Sequence, residues 1–242
     1  VRRFEEDGLR MFRAVRFGAQ LGFGLTPETT QAIRSCAAGA EHIAAERVRV
    51  EMEKTLCSDR PFAVVDYFSL GLMSRWVRER PKELRDLNRL PAQPLLRWAG
   101  LCARLMAEGC IDSAEDFLRG LKLDGATIRA CEAGQELWRQ GLPSDDRGWR
   151  RLLAAYGTDG CRAAAAMAGE EALRQLETVL AQDPCVRVEQ LALSGGDLFD
   201  MGLRGPRIGR MQRYLLEYVA DHPEDNRAEI LCLKLEEFLG RL

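Results

Sequence analysis

Arg3-Phe4-Glu5-Glu6-Asp7-Gly8-Leu9-Arg10-Met11-Phe12-Arg13-Ala14-Val15-Arg16-Phe17 carries the pattern of an amphipathic helix. At about 100° per residue, Phe12, Val15 and Ala19 fall on one stripe, while Glu6, Asp7, Arg10 and Arg13 fall on another. The apolar stripe can be buried and the polar one left free. Asp7 stands three residues before Arg10, a spacing that makes neighbours on one helix face. A carboxylate only accepts hydrogen bonds and a guanidinium only donates them. Together they match an exocyclic amine beside a ring acceptor, the arrangement on the Watson–Crick edge of cytosine and adenine. Uracil and guanine present a carbonyl at that place and would meet Asp7 with no proton between them. An ordinary helix start produces the same pattern, because acids suit the first turn and Glu6 with Arg10 makes a favourable i,i+4 pair. On these residues alone both explanations stay open.

The rest of the chain continues the helical period. Thr26-Pro27-Glu28 is a helix start, with a Thr cap and Pro in the first turn. Val48, Met52 and Leu56 recur at i+4 in a helix expected over 43–56, and Val65, Phe68 and Leu72 in one expected over 62–77. Sustained strand alternation and fixed-period repeats are both missing from the sequence. The expected breaks are Pro81, Pro91-Ala92-Gln93-Pro94, Gly141-Leu142-Pro143-Ser144 and Ser194-Gly195-Gly196. The fold class is all-α, built of consecutive helical modules.

Composition sets wide bounds. With 242 residues, 46% hydrophobic and 30% charged, the chain has enough apolar content for one large or several small cores. The net charge is −2, so any basic surface must be local. Its eight cysteines form no CxxC, and neither His42 nor His222 has a Cys at zinc-ligand spacing, so no metal site is expected in the chain. Scattered cysteines suit a reducing compartment, and a cytoplasmic location is expected. No signal peptide or apolar run of membrane-spanning length is present, so no membrane partner is expected.

The extended string RF-x-EDGLRM-x-RA-x-RF resembles the EDxxR motif, with its usual flanks, of the tRNA nucleotidyltransferase (CCA-adding) and bacterial poly(A) polymerase superfamily. Glu46-Arg47-Val48 with Glu51 and Lys54 is similar to the ERxxxExxK motif that follows it, Gly71-Leu72-Met73 to the next GLL, and Phe117-Leu118-Arg119-Gly120-Leu121-Lys122-Leu123 to the FLRRLKL stretch of the helical body. Leu193 to Gly209 is similar to the GxDLxxxGxxxGPxIG segment of the tail. The resemblance is strong over about residues 2–57, weaker over 115–135 and 193–231, and faint elsewhere. It implies a neck over 1–60, a body over 61–142 and a tRNA-binding tail over 143–242. It also implies that Asp7 and Arg10 template the incoming CTP or ATP, supported by Glu6, Arg13, Glu46, Arg47 and Glu51.

In the tail, Pro206 can open a helix whose free N–H groups would suit a phosphate. Gly196, Arg204, Gly205, Arg207 and Arg210 are the expected tRNA contacts, against the alternative of a solvated Arg-rich helix start. Nucleotidyl transfer needs metal-bound carboxylates. In the family they come from an N-terminal head with GGxxRD and DxD stretches, which would hold Mg²⁺. Neither stretch is in this sequence, which opens at Val1 inside the family pattern. The expectation is a headless portion of a CCA-adding enzyme, with no catalytic residue of its own and no incorporation by itself. The alternatives are the same region of a poly(A) polymerase and a non-catalytic helical tRNA-binding module. Trp98 to Leu105 lacks the His-Asp pair of some relatives, so no phosphohydrolase activity is expected.

Overall fold

The structure is a computed structural model that describes residues 2–239. Among the described residues there is no strand, as the helical period predicts. The helices in chain order are α1 (Arg2–Glu6), α2 (Leu9–Leu21), α3 (Pro27–Cys36), α4 (Ala45–Leu56), α5 (Val65–Ser69), α6 (Pro94–Ala107), α7 (Ala114–Gly120), α8 (Gly125–Gln140), α9 (Asp146–Ala168), α10 (Glu170–Leu180), α11 (Gly195–Asp200), α12 (Pro206–Asp221) and α13 (Ala228–Leu239). Helix α9 bends at Gly157. None of these helices is long and apolar enough to cross a membrane. All eight cysteines are free thiols.

Local chemistry sets most boundaries. Thr26 caps α3 by accepting from the Thr29 N–H at 3.2 Å, with Pro27 in the first turn. Asp124 and Asp145 cap α8 and α9 through the N–H groups of Thr127 and Gly148. Ser194 and Asp197 form a reciprocal capping box on α11, so the expected glycine break is in fact a helix start. The helix expected over 62–77 is cut short at Ser69. Gly71 adopts φ 81°, and the N–H groups of Leu72 and Gly71 return to the carbonyls of Tyr67 and Phe68. That is a Schellman stop, which outweighs the apolar period continuing through Leu72.

Three apolar clusters hold the chain. The first joins Phe12 and Val15 of α2, Val48 and Met52 of α4 and Tyr67 of α5 to Leu101 of α6 and Ile128 of α8, so the first helices share a core with the middle of the chain. The second centres on Trp149, Leu153, Cys161, Leu176 and Val179 in α9 and α10. The third gathers Leu198, Met211, Leu215, Val219, Leu231 and Leu235 of α11 to α13. Helices α8 and α9 cross closely because their contact is built from Gly and Ala. A Cβ on Gly134 would lie 2.5 Å from that of Ala163, so a larger residue there would force the helices apart.

The end of α12 is gripped by the start of α9. Arg147 makes a two-bonded fork to the Asp221 carboxylate at 2.9 and 2.8 Å, Arg151 makes a second, and Arg150 donates to the Ala220 carbonyl at 2.9 Å. These two guanidiniums hold the Asp221 carboxyl well below the usual carboxylate range.

Candidate functional site

Asp7 and Arg10 do not share a helix. α1 ends at Glu6 and α2 begins at Leu9, so Asp7 lies at the junction. The cause is the Asp7 side chain itself: its Oδ1 accepts from the Leu9 N–H at 3.1 Å, bonding the nearby backbone in place of a continuous helix. The Asp7 carbonyl accepts from the Arg10 N–H at 3.0 Å, which begins the next turn. No other bond reaches the Asp7 carboxylate among the described residues, so Oδ2 remains free. Arg10 donates through Nη1 to the Arg3 carbonyl at 3.1 Å and lies 3.5 Å from Glu6 Oε2. Its Nε and Nη2 have no partner among the described residues. The acid and the base are therefore not an ion pair, and each keeps unused bonding capacity.

Half-buried Asp7 lines a cleft of about 720 Å³ together with Glu6, Gly8, Gly39, Ile43 and Arg47. Arg10 lies outside its walls, exposed on the next turn of α2. Glu46 and Arg47 are both exposed in the first turn of α4, and neither is bonded to Asp7 or Arg10.

What fixes α2 is a buried carboxylate on α4. Glu51 is 6% exposed and accepts from Arg16 Nε at 2.5 Å and Arg13 Nε at 3.4 Å. Arg16 was not among the expected site residues, yet it is the more buried partner, at 13% against 47% for Arg13. Its spacing of three from Arg13 was the available signal. Behind Glu51, the Tyr67 hydroxyl lies 2.7 Å from Thr55 Oγ1 and 3.3 Å from the carbonyls of Phe12 and Glu51. The ring of Tyr67 stacks on Phe12 at 5.4 Å, and burial pushes the phenol up. Tyr67 ties α2, α4 and α5 through one hydroxyl, and a lone Tyr in an apolar run gives no sequence sign of that.

In the tail, Arg207, Arg210 and Arg213 are exposed on α12 with no carboxylate partner among the described residues. Arg204 is turned back. It bonds the Phe199 and Leu203 carbonyls and sits over the Phe199 ring at 3.8 Å. Gly205, with φ 55°, precedes Pro206 at the first position of α12, and Gly196 lies in the first turn of α11. The free N–H groups expected at this helix start are mostly taken: Arg207 N–H bonds the Arg204 carbonyl and Ile208 N–H the Gly205 carbonyl. An anion here meets guanidinium groups and not backbone.

Among the described residues, the trio whose ligand atoms lie within 4.8 Å of one another is His222, Glu224 and Asp225, on the turn after α12.

The geometry defines an all-α chain whose start sets an Asp bonded to the following backbone beside an Arg with unused donors, on a helix braced by a buried Glu. The family described as "Probable RNA and SrmB- binding site of polymerase A" matches residues 22–79, which include Glu46, Arg47 and Glu51. A CCA-adding enzyme of Geobacillus sp. is 35% identical over 210 residues, covering 81% of this chain and 51% of that protein. A crystal structure of the Bacillus stearothermophilus CCA-adding enzyme in complex with CTP superposes with a TM-score of 0.70 at 27% identity, over 99% of this chain and 64% of that one. The Thermotoga maritima CCA-adding enzyme complexed with tRNA shares the fold at a TM-score of 0.55 and 15% identity, over 97% of this chain and 62% of that one. These likenesses support the CCA-adding enzyme and poly(A) polymerase superfamily as the relatives of this chain. The chain spans about half the length of the Geobacillus relative.

Proposed function

We propose that this chain serves a CCA-adding tRNA nucleotidyltransferase as its base-selecting and tRNA-docking part. The observation that carries the proposal is that Asp7, just before α2, and Arg10, on α2, leave each other unpaired, one with a free carboxylate oxygen and the other with free N–H donors, while Glu51 braces α2. Asp7 accepts from the amine of CTP or ATP, and Arg10 donates to the adjacent ring acceptor. UTP and GTP are refused because a carbonyl against a carboxylate leaves two buried acceptors without a proton. Glu6 steers Arg10, Arg13 shares Glu51, and Glu46 and Arg47 line the approach. The neck, body and tail divide near residues 60 and 142. The metal that transfer requires, Mg²⁺ in this proposal, is bound by carboxylates outside these residues. The likeness to CCA-adding enzymes supports the substrate assignment, and the poly(A) polymerase alternative rests on the family description matched by residues 22–79.

tRNA docks on the tail by phosphate and shape contacts, since duplex RNA offers its backbone more readily than its base edges. The test is tRNA binding by the 242-residue chain across a salt series. Replacing Arg204, Arg207 and Arg210 with Ala should weaken binding and flatten the salt slope by about two phosphate contacts. The expected loss is nearer two contacts than three because Arg204 is already committed to backbone and ring. An unchanged slope would move the RNA surface elsewhere.

A further inference from the structure

Of the four tryptophans, Trp98 and Trp149 are buried and Trp76 is half-buried beneath Arg75. Trp138 is 41% exposed, on the last turns of α8. Its ring walls two adjoining clefts, of about 470 and 110 Å³, which also share Ala103 of α6. None of their walls belongs to the Asp7 cleft. Gln135, three residues earlier on the same face, lines the smaller cleft, and its Nε2 is buried with no hydrogen-bond partner. An unpaired buried amide calls for an explanation. Arg139 lines the smaller cleft too, and its recorded bond is a weak one from Nη2 to Met106 Sδ at 3.8 Å. Arg89 lines the larger cleft with no carboxylate partner among the described residues. Arg104 also lines it but is paired with Asp86.

A ligand that satisfies this set has a flat π face for Trp138, a polar edge for Gln135 and a negative group for the unpaired guanidiniums. A neutral aromatic leaves the guanidiniums unused, and an aliphatic acid leaves the indole face unused. A nucleotide supplies all three. Its base edge serves the amide in either orientation, because it carries both donors and acceptors. The larger cleft lies within the usual size range of small-molecule sites. Asp86 and Glu170 border it and repel a phosphate, so the phosphate belongs on the Arg139 side. We propose that the Trp138 cleft is a second nucleotide site, which takes one unstacked base on the indole and its phosphate on Arg139. The ligand is a free mononucleotide or a nucleotide splayed from single-stranded RNA.

Calorimetry and tryptophan quenching on the 242-residue chain test this, with AMP, CMP, ribose 5-phosphate and a short unstructured oligonucleotide as probes. AMP or CMP should bind and quench, and ribose 5-phosphate should bind at least tenfold more weakly. Trp138→Ala should weaken nucleotide binding about tenfold or more, the scale of a lost base–aromatic stack. Arg139→Ala should weaken it and reduce its salt dependence. Oligonucleotide affinity well above that of the mononucleotide identifies RNA as the source, and equal affinity identifies the free nucleotide. Absence of nucleotide binding at millimolar concentration would overturn the proposal. So would Trp138→Ala and Arg139→Ala proteins that melt like the parent and bind like it.

Discussion

Glu51→Ala removes the brace on α2 without touching Asp7 or Arg10. In the parent, one carboxylate at 6% exposure is held by a nearly buried Arg16 and a half-exposed Arg13. Losing the carboxylate strands the Arg16 guanidinium, and breaking a buried pair on one side costs about 3–5 kcal/mol. Two features pull the cost to the low end. Arg16 keeps Gln20 Oε1 at 2.6 Å and the Phe17 ring at 3.9 Å, and Arg13 can turn to solvent. The expected loss is therefore about 3 kcal/mol, which for a chain of this size lowers the melting temperature by about 6–12 °C. Thermal unfolding followed by circular dichroism measures it, for Glu51→Ala, Arg16→Ala and the double variant. The double variant should lose clearly less than the sum of the two single losses, a coupling of about 1–3 kcal/mol. A Glu51→Ala protein melting within about 2 °C of the parent, or additive single losses, would refute the brace.

Tyr67→Phe should cost about 1 kcal/mol, or about 2–4 °C in melting temperature, because its hydroxyl bonds to Thr55 and to the Phe12 and Glu51 carbonyls are lost while the ring still packs on Phe12. Asp221 sets an acid limb. Its carboxyl is held below the usual range by Arg147 and Arg151, so its stabilisation is present above the unfolded value of about 4 and is lost as pH falls from there toward the lower folded value. Melting temperature against pH should therefore fall less steeply below about pH 4 in Asp221→Asn than in the parent, with Asp221→Asn the less stable of the two at neutral pH.

Much of the fold could be read from local chemistry. Thr26-Pro27 does open α3, Pro206 opens α12, and the i+4 series Val48, Met52 and Leu56 is buried to the core. Local period fails where a residue has a second use. Leu72 continues the apolar series after α5, but Gly71 and the carbonyls of Tyr67 and Phe68 end the helix first. Asp7 sits at helical spacing from Arg10, yet its own side chain bonds the Leu9 N–H and interrupts the helix there. Contacts between distant segments leave no period at all. Arg16 finds Glu51 35 residues away, and Arg147 and Arg151 find Asp221 about 70 residues away. The residue types of the candidate site were therefore visible in the opening stretch, but the brace that fixes them was only partly so.

The central claim is that Asp7 reads the amine of the incoming base. Relative incorporation of the four nucleotides into tRNA, by the full-length protein carrying Asp7→Ala, tests it most directly. Loss of the acceptor should erode discrimination by about 1–3 kcal/mol, so that UTP and GTP rise about 5- to 150-fold relative to CTP and ATP. An Asp7→Ala protein that still melts cooperatively and keeps the C and A preference of the parent would contradict the account.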